Sequence, residues 1–157
     1  MLSKTDAGGA DAGPSDAAPD ATADARPCTG GTARATDPTS GACFVFFNQN
    51  RNHTDAEASC VALAMHLATI RSASENTTAD SLIGGNDVFI GLNDIVAEGQ
   101  YRWPDGSAPV FTNYRSGEPN NGGGGGSEDC TLLEGSRGGT WDDRACVSQV
   151  PYICSFE

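Results

Sequence analysis

Sequence motifs that mark common enzyme active sites are missing from this chain. It contains no Gly-x-Ser-x-Gly, no His-Glu-x-x-His and no Cys–His signature, which disfavours catalysis. The five consecutive glycines of Gly122–Gly126 are not followed by Lys and Ser or Thr, so they do not form a phosphate-binding loop. Residues 1–5 carry no apolar run, and the chain as given therefore predicts neither a signal peptide nor a membrane span.

Basic residues are scarce. Nine Lys and Arg residues stand against 21 Asp and Glu residues, which gives a formal net charge of −12. A surface of this sign repels nucleic acid and anionic membranes and attracts cations. We therefore expect no nucleic-acid partner and no direct membrane insertion.

Short Cys-x-x-Cys pairs are also absent, which disfavours a zinc site. The six cysteines are an even number spread through the chain, and this favours three disulfides formed in an oxidising compartment. Six cysteines allow 15 pairings, so their count does not choose among them. We expect a secreted, cell-surface or periplasmic protein whose secretion signal is missing from this chain.

Two regions of different composition divide the chain. Residues 1–27 are small, acidic and proline-bearing, and they cannot bury enough apolar area to offset the entropy of ordering. This region is interpreted as a disordered linker, either a tether or a tail without a role. Residues 28–157 contain every Phe, Trp and Tyr and form the predicted folded domain.

The folded region predicts an α+β domain with two early helices. Thr54–Glu57 and Ser72–Glu75 match the capping-box pattern and predict helices that run to about His66 and Leu82. Short β-prone segments predict strands at 43–49, 88–92, 130–133, 140–141 and 152–154. Between them, residues 93–127 form a long irregular stretch, which in a compact domain is usually functional.

Oxygen-bearing side chains concentrate in that stretch and just after it: Asp94, Glu98, Glu118, Asn120, Asn121, Glu128, Asp129, Asp142 and Asp143. Carboxylate and amide oxygens are the ligands that Ca²⁺ prefers. A cis peptide bond in Glu118-Pro119-Asn120 would turn the two flanking side chains toward one point. A solvated acidic loop without an ion is the alternative, and the Asn and Pro residues argue against it.

These motifs, in this order, resemble the C-type lectin-like domain family, over Cys28–Phe156. The segments that carry the resemblance are Leu67–Asn76, Phe89–Asp94, Tyr101–Gly106, Glu118–Asn120, Glu128–Cys130, Trp141–Asp143 and Pro151–Cys154. The resemblance implies a C-type lectin-like fold, with two helices, short antiparallel sheets and a long calcium-binding loop region. It also implies the disulfides Cys28–Cys43, Cys60–Cys154 and Cys130–Cys146.

The resemblance further implies Ca²⁺ as a cofactor and two sets of ligands for it. The main calcium would be held by the residues that also bind the sugar, which are Glu118, Asn120, Glu128, Asp142 and Asp143. An auxiliary calcium would use Asp94, Glu98, Asn121, Glu128 and Asp129. In this family, Glu-Pro-Asn accompanies sugars of the mannose, glucose and N-acetylglucosamine type, so the implied partner is a carbohydrate or glycoconjugate, including that of a glycosylated cell surface.

The chain departs from the family's sugar binders at two informative positions. Asp142 stands where they commonly have Asn, and an ionised Asp cannot donate a hydrogen bond to a sugar hydroxyl. We therefore expect a weaker or altered monosaccharide preference. The Gly122–Gly126 run lengthens the spacer before Glu128, which raises the cost of ordering the site.

Two other functions remain open at this point. The domain could bind a protein partner or serve as an adhesion or structural module, since fold does not fix function. The pair Glu118 and Glu128 could suggest glycoside hydrolysis, but a calcium-bound carboxylate is a poor general acid. We therefore predict a binding module and not an enzyme.

Overall fold

The computed structural model describes residues 26–122 and 127–157. Nearly all of the predicted linker and most of the glycine run lie outside these residues. The described chain forms seven strands, two α-helices and one 3₁₀ helix at Gly135–Arg137. The helices are α1 (His53–Val61) and α2 (Ala73–Leu82). The strands are β1 (Ala33–Thr36), β2 (Cys43–Arg51), β3 (His66–Leu67), β4 (Asp87–Asn93), β5 (Cys130–Glu134), β6 (Thr140–Arg144) and β7 (Val150–Phe156).

All seven strands belong to one sheet of order β1-β2-β7-β4-β5-β6, with β3 paired to β7. The α+β fold class predicted from the sequence is confirmed. The predicted short antiparallel sheets are joined, because Phe89 of β4 pairs in parallel with Tyr152 of β7. The sheet is therefore mixed, and β5 and β6 extend it toward the irregular region that carries the oxygen ligands.

The core lies on both faces of this sheet because successive strand side chains point to opposite faces. In β2, for example, Phe44 and Phe46 belong to one buried cluster, whereas Cys43 and Val45 belong to another. Helix α2 contributes Ala79 to the first cluster, and helix α1 contributes Ala56 and Cys60 to the second. The two helices thus cover opposite faces.

The start of α2 is the one that the sequence predicts. Ser72 is its N-cap, and the Ser72 hydroxyl oxygen accepts a hydrogen bond from the backbone N–H of Glu75 at 3.1 Å. The Glu75 carboxylate in turn accepts a hydrogen bond from the backbone N–H of Arg71 at 2.6 Å. The helix ends at Leu82, as predicted.

The predicted bounds of α1 are wrong at both ends. Its N-cap is Asn52 and not Thr54, because the Asn52 side chain already accepts a hydrogen bond from the backbone N–H of Asp55. The helix stops at Val61 because Ala64 adopts a left-handed conformation (φ 59°) and Met65 N–H bonds back to the Cys60 carbonyl. This early stop releases His66–Leu67 to pair with β7.

The three disulfides that the resemblance implies are present. Cys28–Cys43 closes the N-terminal hairpin, Cys60–Cys154 joins α1 to β7, and Cys130–Cys146 spans the sheet edge that carries β6. In the chain-entropy model each such closure contributes about 3–5 kcal/mol. Within the described residues, the helices are too short and too polar to cross a lipid bilayer.

Candidate functional site

The loop that contains Glu118 is fixed along the outer edge of β6. Tyr114 forms a parallel bridge with Trp141, and the backbone N–H of Arg115 donates to the Trp141 carbonyl at 3.0 Å. The Trp141 N–H donates to the Asn113 carbonyl at 2.9 Å. Since Trp141 is fully buried, this short pairing anchors the loop to the core and places Glu118 beside the end of β6.

Three carboxylates meet at that point. One oxygen each from Glu118, Asp142 and Asp143 lies within 4.8 Å of the other two. The Glu118–Pro119 peptide bond is cis. The Glu118 side chain is only 4% exposed, and its Oε2 atom has no hydrogen-bond partner among the described residues. A buried anionic oxygen without a partner is costly, and a bound cation would satisfy it.

The Asp143 carboxylate holds the tip of the loop. Its Oδ1 accepts a hydrogen bond from the backbone N–H of Asn120 at 3.0 Å, and its Oδ2 accepts one from Asn121. The Asn120 side-chain oxygen accepts from the Gly122 N–H at 2.7 Å, and the Asn121 side-chain oxygen accepts from the Glu128 N–H at 2.9 Å. These bonds place Asn120 and, through Asn121, the backbone of Glu128 near Asp143, but the amide oxygen of Asn120 is engaged within its own turn and the Glu128 carboxylate is not one of the three that lie within 4.8 Å of one another.

Burial and the neighbouring carboxylates raise the pKa values of Glu118 and Glu128. Burial raises the pKa of Glu118, and the negative charge of Asp142 adds to this rise while Arg115 opposes it. The pKa of Glu128 is also raised, first by burial and then by Asp143, with Arg144 opposing. The shifts show that Glu128 lies within electrostatic reach of Asp142 and Asp143. They also show excess negative charge, which a divalent cation would neutralise.

The predicted auxiliary ligands are linked by individual contacts, but among the described residues they do not bring three carboxylate oxygens within 4.8 Å of one another, as Glu118, Asp142 and Asp143 do. The backbone N–H of Asp94 donates to the Asp129 carbonyl at 3.0 Å, and Asp94 Oδ2 accepts from the Gly99 N–H at 2.7 Å. Partial desolvation and then the charges of Asp94 and Asp129 raise the pKa of Glu98, whereas a hydrogen bond with Asn121 lowers it. Asp94 is 3% exposed, and its Oδ1 lacks a partner among the described residues.

Two arginines that the sequence reasoning passed over lie in the site. Arg115 places Nη1 at 2.9 Å from Glu118 Oε1, Nε at 3.0 Å from Glu134 Oε2 and Nη2 at 3.1 Å from Asp142 Oδ1. Arg144 places Nη2 at 3.1 Å from Asp142 Oδ2. The sequence carried a usable signal, because two of the nine basic residues of this acidic chain lie close to the ligand motifs: Arg115 is three residues before Glu118, and Arg144 directly follows Asp143.

Comparison with known proteins identifies the fold and family. The model of the Lectin C-type domain matches residues 49–156, well over half of the chain. The chain belongs to the C-type lectin domain family. The low affinity immunoglobulin epsilon Fc receptor of Mus musculus is 36% identical to this C-type lectin domain over 113 residues, which are 71% of this chain and 33% of the receptor. The chain thus spans about a third of that relative's length.

Solved structures agree with the family assignment. The cow CD23 carbohydrate-recognition domain, whose crystal structure was determined in the presence of a GlcNAc2Man3 oligosaccharide, superposes with a TM-score of 0.67 at 28% identity. The match covers 73% of this lectin domain and 87% of the cow domain. A calcium-independent type II antifreeze protein superposes with a TM-score of 0.70 over 82% of this chain and 94% of its own, but at 24% identity it shows a shared fold alone.

Proteins of this family are generally binding modules without enzymatic activity. The three disulfides fit an extracellular or secreted protein.

Proposed function

We propose that this lectin domain binds carbohydrate in a calcium-dependent manner through Glu118, Asn120, Glu128, Asp142 and Asp143. One observation carries the proposal: each predicted calcium group contains a buried carboxylate oxygen that has no partner among the described residues. These atoms are Glu118 Oε2 in the main group and Asp94 Oδ1 in the auxiliary group. Hard anionic oxygens in flexible loops suit Ca²⁺, so the residues fit the ion that the family implies.

In this proposal, different residues of the site hold the ions, form hydrogen bonds with the sugar and position the loop. Ca²⁺ held by these residues would offer coordination to two neighbouring sugar hydroxyls. The carboxylates of Glu118 and Glu128 accept hydrogen bonds from those hydroxyls, and the Asn120 amide can donate one. Asp143 positions the loop by accepting from two backbone N–H groups. Asp94, Glu98, Asn121 and Asp129, with Glu128, would hold the auxiliary ion and order the same loop.

The proposed sugar class is that of mannose, glucose and N-acetylglucosamine, because Glu118-Pro119-Asn120 carries the motif that accompanies these sugars. The proposed natural partner is a glycoconjugate, such as that of a glycosylated cell surface, met outside the cell. Single sites of this kind bind weakly, so several copies on one surface would gain affinity through avidity. In this proposal residues 1–27 are a linker and residues 28–157 form the lectin domain.

A second function is the binding of a protein partner without calcium or sugar. The ion pairs that Asp142 already makes favour it. Both of its oxygens already pair with guanidinium groups, those of Arg115 and Arg144. These ion pairs neutralise part of the cluster without any metal. This observation is weaker than the two unpartnered oxygens, because each carboxylate oxygen has more than one lone pair and can also bind an ion.

Calcium titration followed by a glycan array tests the proposal. We expect Ca²⁺ to raise the melting temperature and to support binding to arrayed mannose-, glucose- or N-acetylglucosamine-terminated glycans, with all binding lost in chelator. A Glu118→Gln/Asp143→Asn variant should lose glycan binding and part of the rise in melting temperature, because it removes two anionic ligands of the main group and leaves the auxiliary group intact. Unchanged melting with Ca²⁺, or array binding that survives chelation, would refute the proposal.

A further inference from the structure

A donor is missing from the proposed sugar site. Where an Asn side chain would offer an NH₂ group, Asp142 offers only acceptor oxygens. A sugar hydroxyl lying between Glu128 and Asp142 would then meet two anionic acceptors, and its own oxygen would have no hydrogen-bond donor. One lone pair of that oxygen would coordinate the ion, and the other would have no donor, which weakens binding because a hydrogen bond to water is lost on complex formation.

Arg144 is placed beside Asp142, one of these acceptors. Its Nη2 atom lies 3.1 Å from Asp142 Oδ2, and its positive charge opposes the rise in the pKa of Glu128 that burial and Asp143 cause. Asp142 is almost fully buried, whereas the Arg144 side chain is 41% exposed. The arginine is therefore accessible to solvent next to the buried Asp142 carboxylate.

Arg144 has fewer of its guanidinium nitrogens engaged in contacts than Arg115 has. Arg115 directs Nε, Nη1 and Nη2 to Glu134, Glu118 and Asp142 respectively. Arg144 uses only Nη2 in a hydrogen bond within the described residues. A guanidinium carries five N–H donors in a rigid plane, so Arg144 keeps donors on Nε and Nη1 for a ligand.

We propose that Arg144 is a ligand-contacting residue that donates to the sugar oxygen between Glu128 and Asp142, so that the Asp142–Arg144 pair replaces the Asn amide. Asp142 supplies the anionic oxygen for the ion, and Arg144 supplies the donor that Asp142 lacks. This inference rests on the proposed sugar-binding function and deepens it. It assigns the altered monosaccharide preference to two residues acting together and not to Asp142 alone.

Retention on mannose- or N-acetylglucosamine-agarose in Ca²⁺ tests the pair, with calcium affinity measured on the same samples. The variants are Arg144→Gln, Asp142→Asn and Asp142→Asn/Arg144→Gln. Arg71→Gln is the matched control, because Arg71 is partly exposed and pairs with the acids Asp105 and Glu157, which lie outside the site. A lost hydrogen bond to a charged group predicts about a tenfold weaker retention for Arg144→Gln.

The calcium affinity of Arg144→Gln should be unchanged or higher, because a positive charge near the ion is removed. The double variant should recover retention to near the wild-type level, since the introduced side-chain amide would supply both an oxygen and an NH₂ group. Equal retention of Arg144→Gln and the control, or no recovery in the double variant, would overturn the inference and leave the proposed function standing. Failure of the wild type to bind either column or any arrayed sugar in Ca²⁺ would overturn both.

Discussion

Asp37 is a buried carboxylate that stabilises the fold away from the site. Its side chain is almost fully buried, and its Oδ2 accepts hydrogen bonds from the backbone N–H groups of Thr39 and Ser40. Its Oδ1 accepts from the hydroxyls of Ser74 and Thr78 on α2. Burial alone would raise its pKa, but these hydrogen bonds outweigh that effect and lower the pKa to about 2. One anion thus ties the turn after β1 to a helix.

Replacement Asp37→Asn should lower the free energy of unfolding at neutral pH by about 2 kcal/mol, because buried donors lose a charged acceptor. The folded-state pKa lies below the ordinary value of 3.8, so the carboxylate's contribution is complete above that pH. It is lost as the pH falls toward about 2. Urea unfolding of both proteins across this range should show their difference shrinking with acidification.

Asp105→Asn is the control for this prediction. Asp105 also accepts hydrogen bonds within a turn, from the backbone and hydroxyl of Ser107, but its side chain is 55% exposed. Its replacement should change the free energy of unfolding by less than about 0.5 kcal/mol, because water can take over the lost contacts. An equal loss of unfolding free energy in the two variants would show that the burial of Asp37 does not increase its contribution to stability.

The turn formed by Asn120, Asn121 and Gly122 sets the position of Glu128. Gly122 has φ of +57°, and a Cβ atom there would lie 2.8 Å from the Glu128 carboxylate carbon. Gly122→Ala should therefore push Glu128 away and weaken calcium binding about tenfold or more, since Glu128 serves both proposed ions. Isothermal titration with Ca²⁺ measures the change.

Gly84→Ala separates this displacement from backbone strain. Gly84 has φ of +58°, nearly the same as Gly122, but a Cβ there would meet no atom within 4 Å. Both variants should therefore carry a similar conformational penalty of about 1 kcal/mol in thermal unfolding. A calcium affinity that falls equally in both would contradict a specific role for the Gly122 contact.

Local patterns were sufficient to predict most elements of this fold but only part of its site. The Ser72–Glu75 capping box and the apolar segments of β2, β4 and β7 were predictable because neighbours in sequence decide them. The start of α1 was not, since Asn52 and Thr54 both suit an N-cap, and geometry chooses Asn52. The ion pairs of Arg115 join residues 115, 134 and 142, which only the register of β5 and β6 brings together.

At the scale of the whole molecule, calcium and protons should compete for the same acids. The chain is acidic, with a net charge of −12, and the pKa values of Glu118, Glu128 and Glu98 are all raised by desolvation and by neighbouring carboxylates. A carboxyl whose folded-state pKa is raised binds protons more readily in the folded than in the unfolded chain. In the absence of Ca²⁺, these groups therefore destabilise the fold at neutral pH and less so on mild acidification.

The stabilisation by Ca²⁺ should consequently be largest near pH 7 and shrink as the pH falls through the raised pKa values. At about a hundredfold excess over its dissociation constant, one ion contributes about 2.7 kcal/mol, which for a domain of this size raises the melting temperature by about 10 °C. Calorimetry with and without Ca²⁺ from about pH 7 down to the ordinary glutamate value of 4.5 should show this difference narrowing. Glu118→Gln/Glu128→Gln should show a much smaller calcium shift that depends less on pH, because two of the three carboxyls with raised pKa values are gone. A wild-type shift that is as large at pH 4.5 as near pH 7 would mean that these glutamates do not bind the ion.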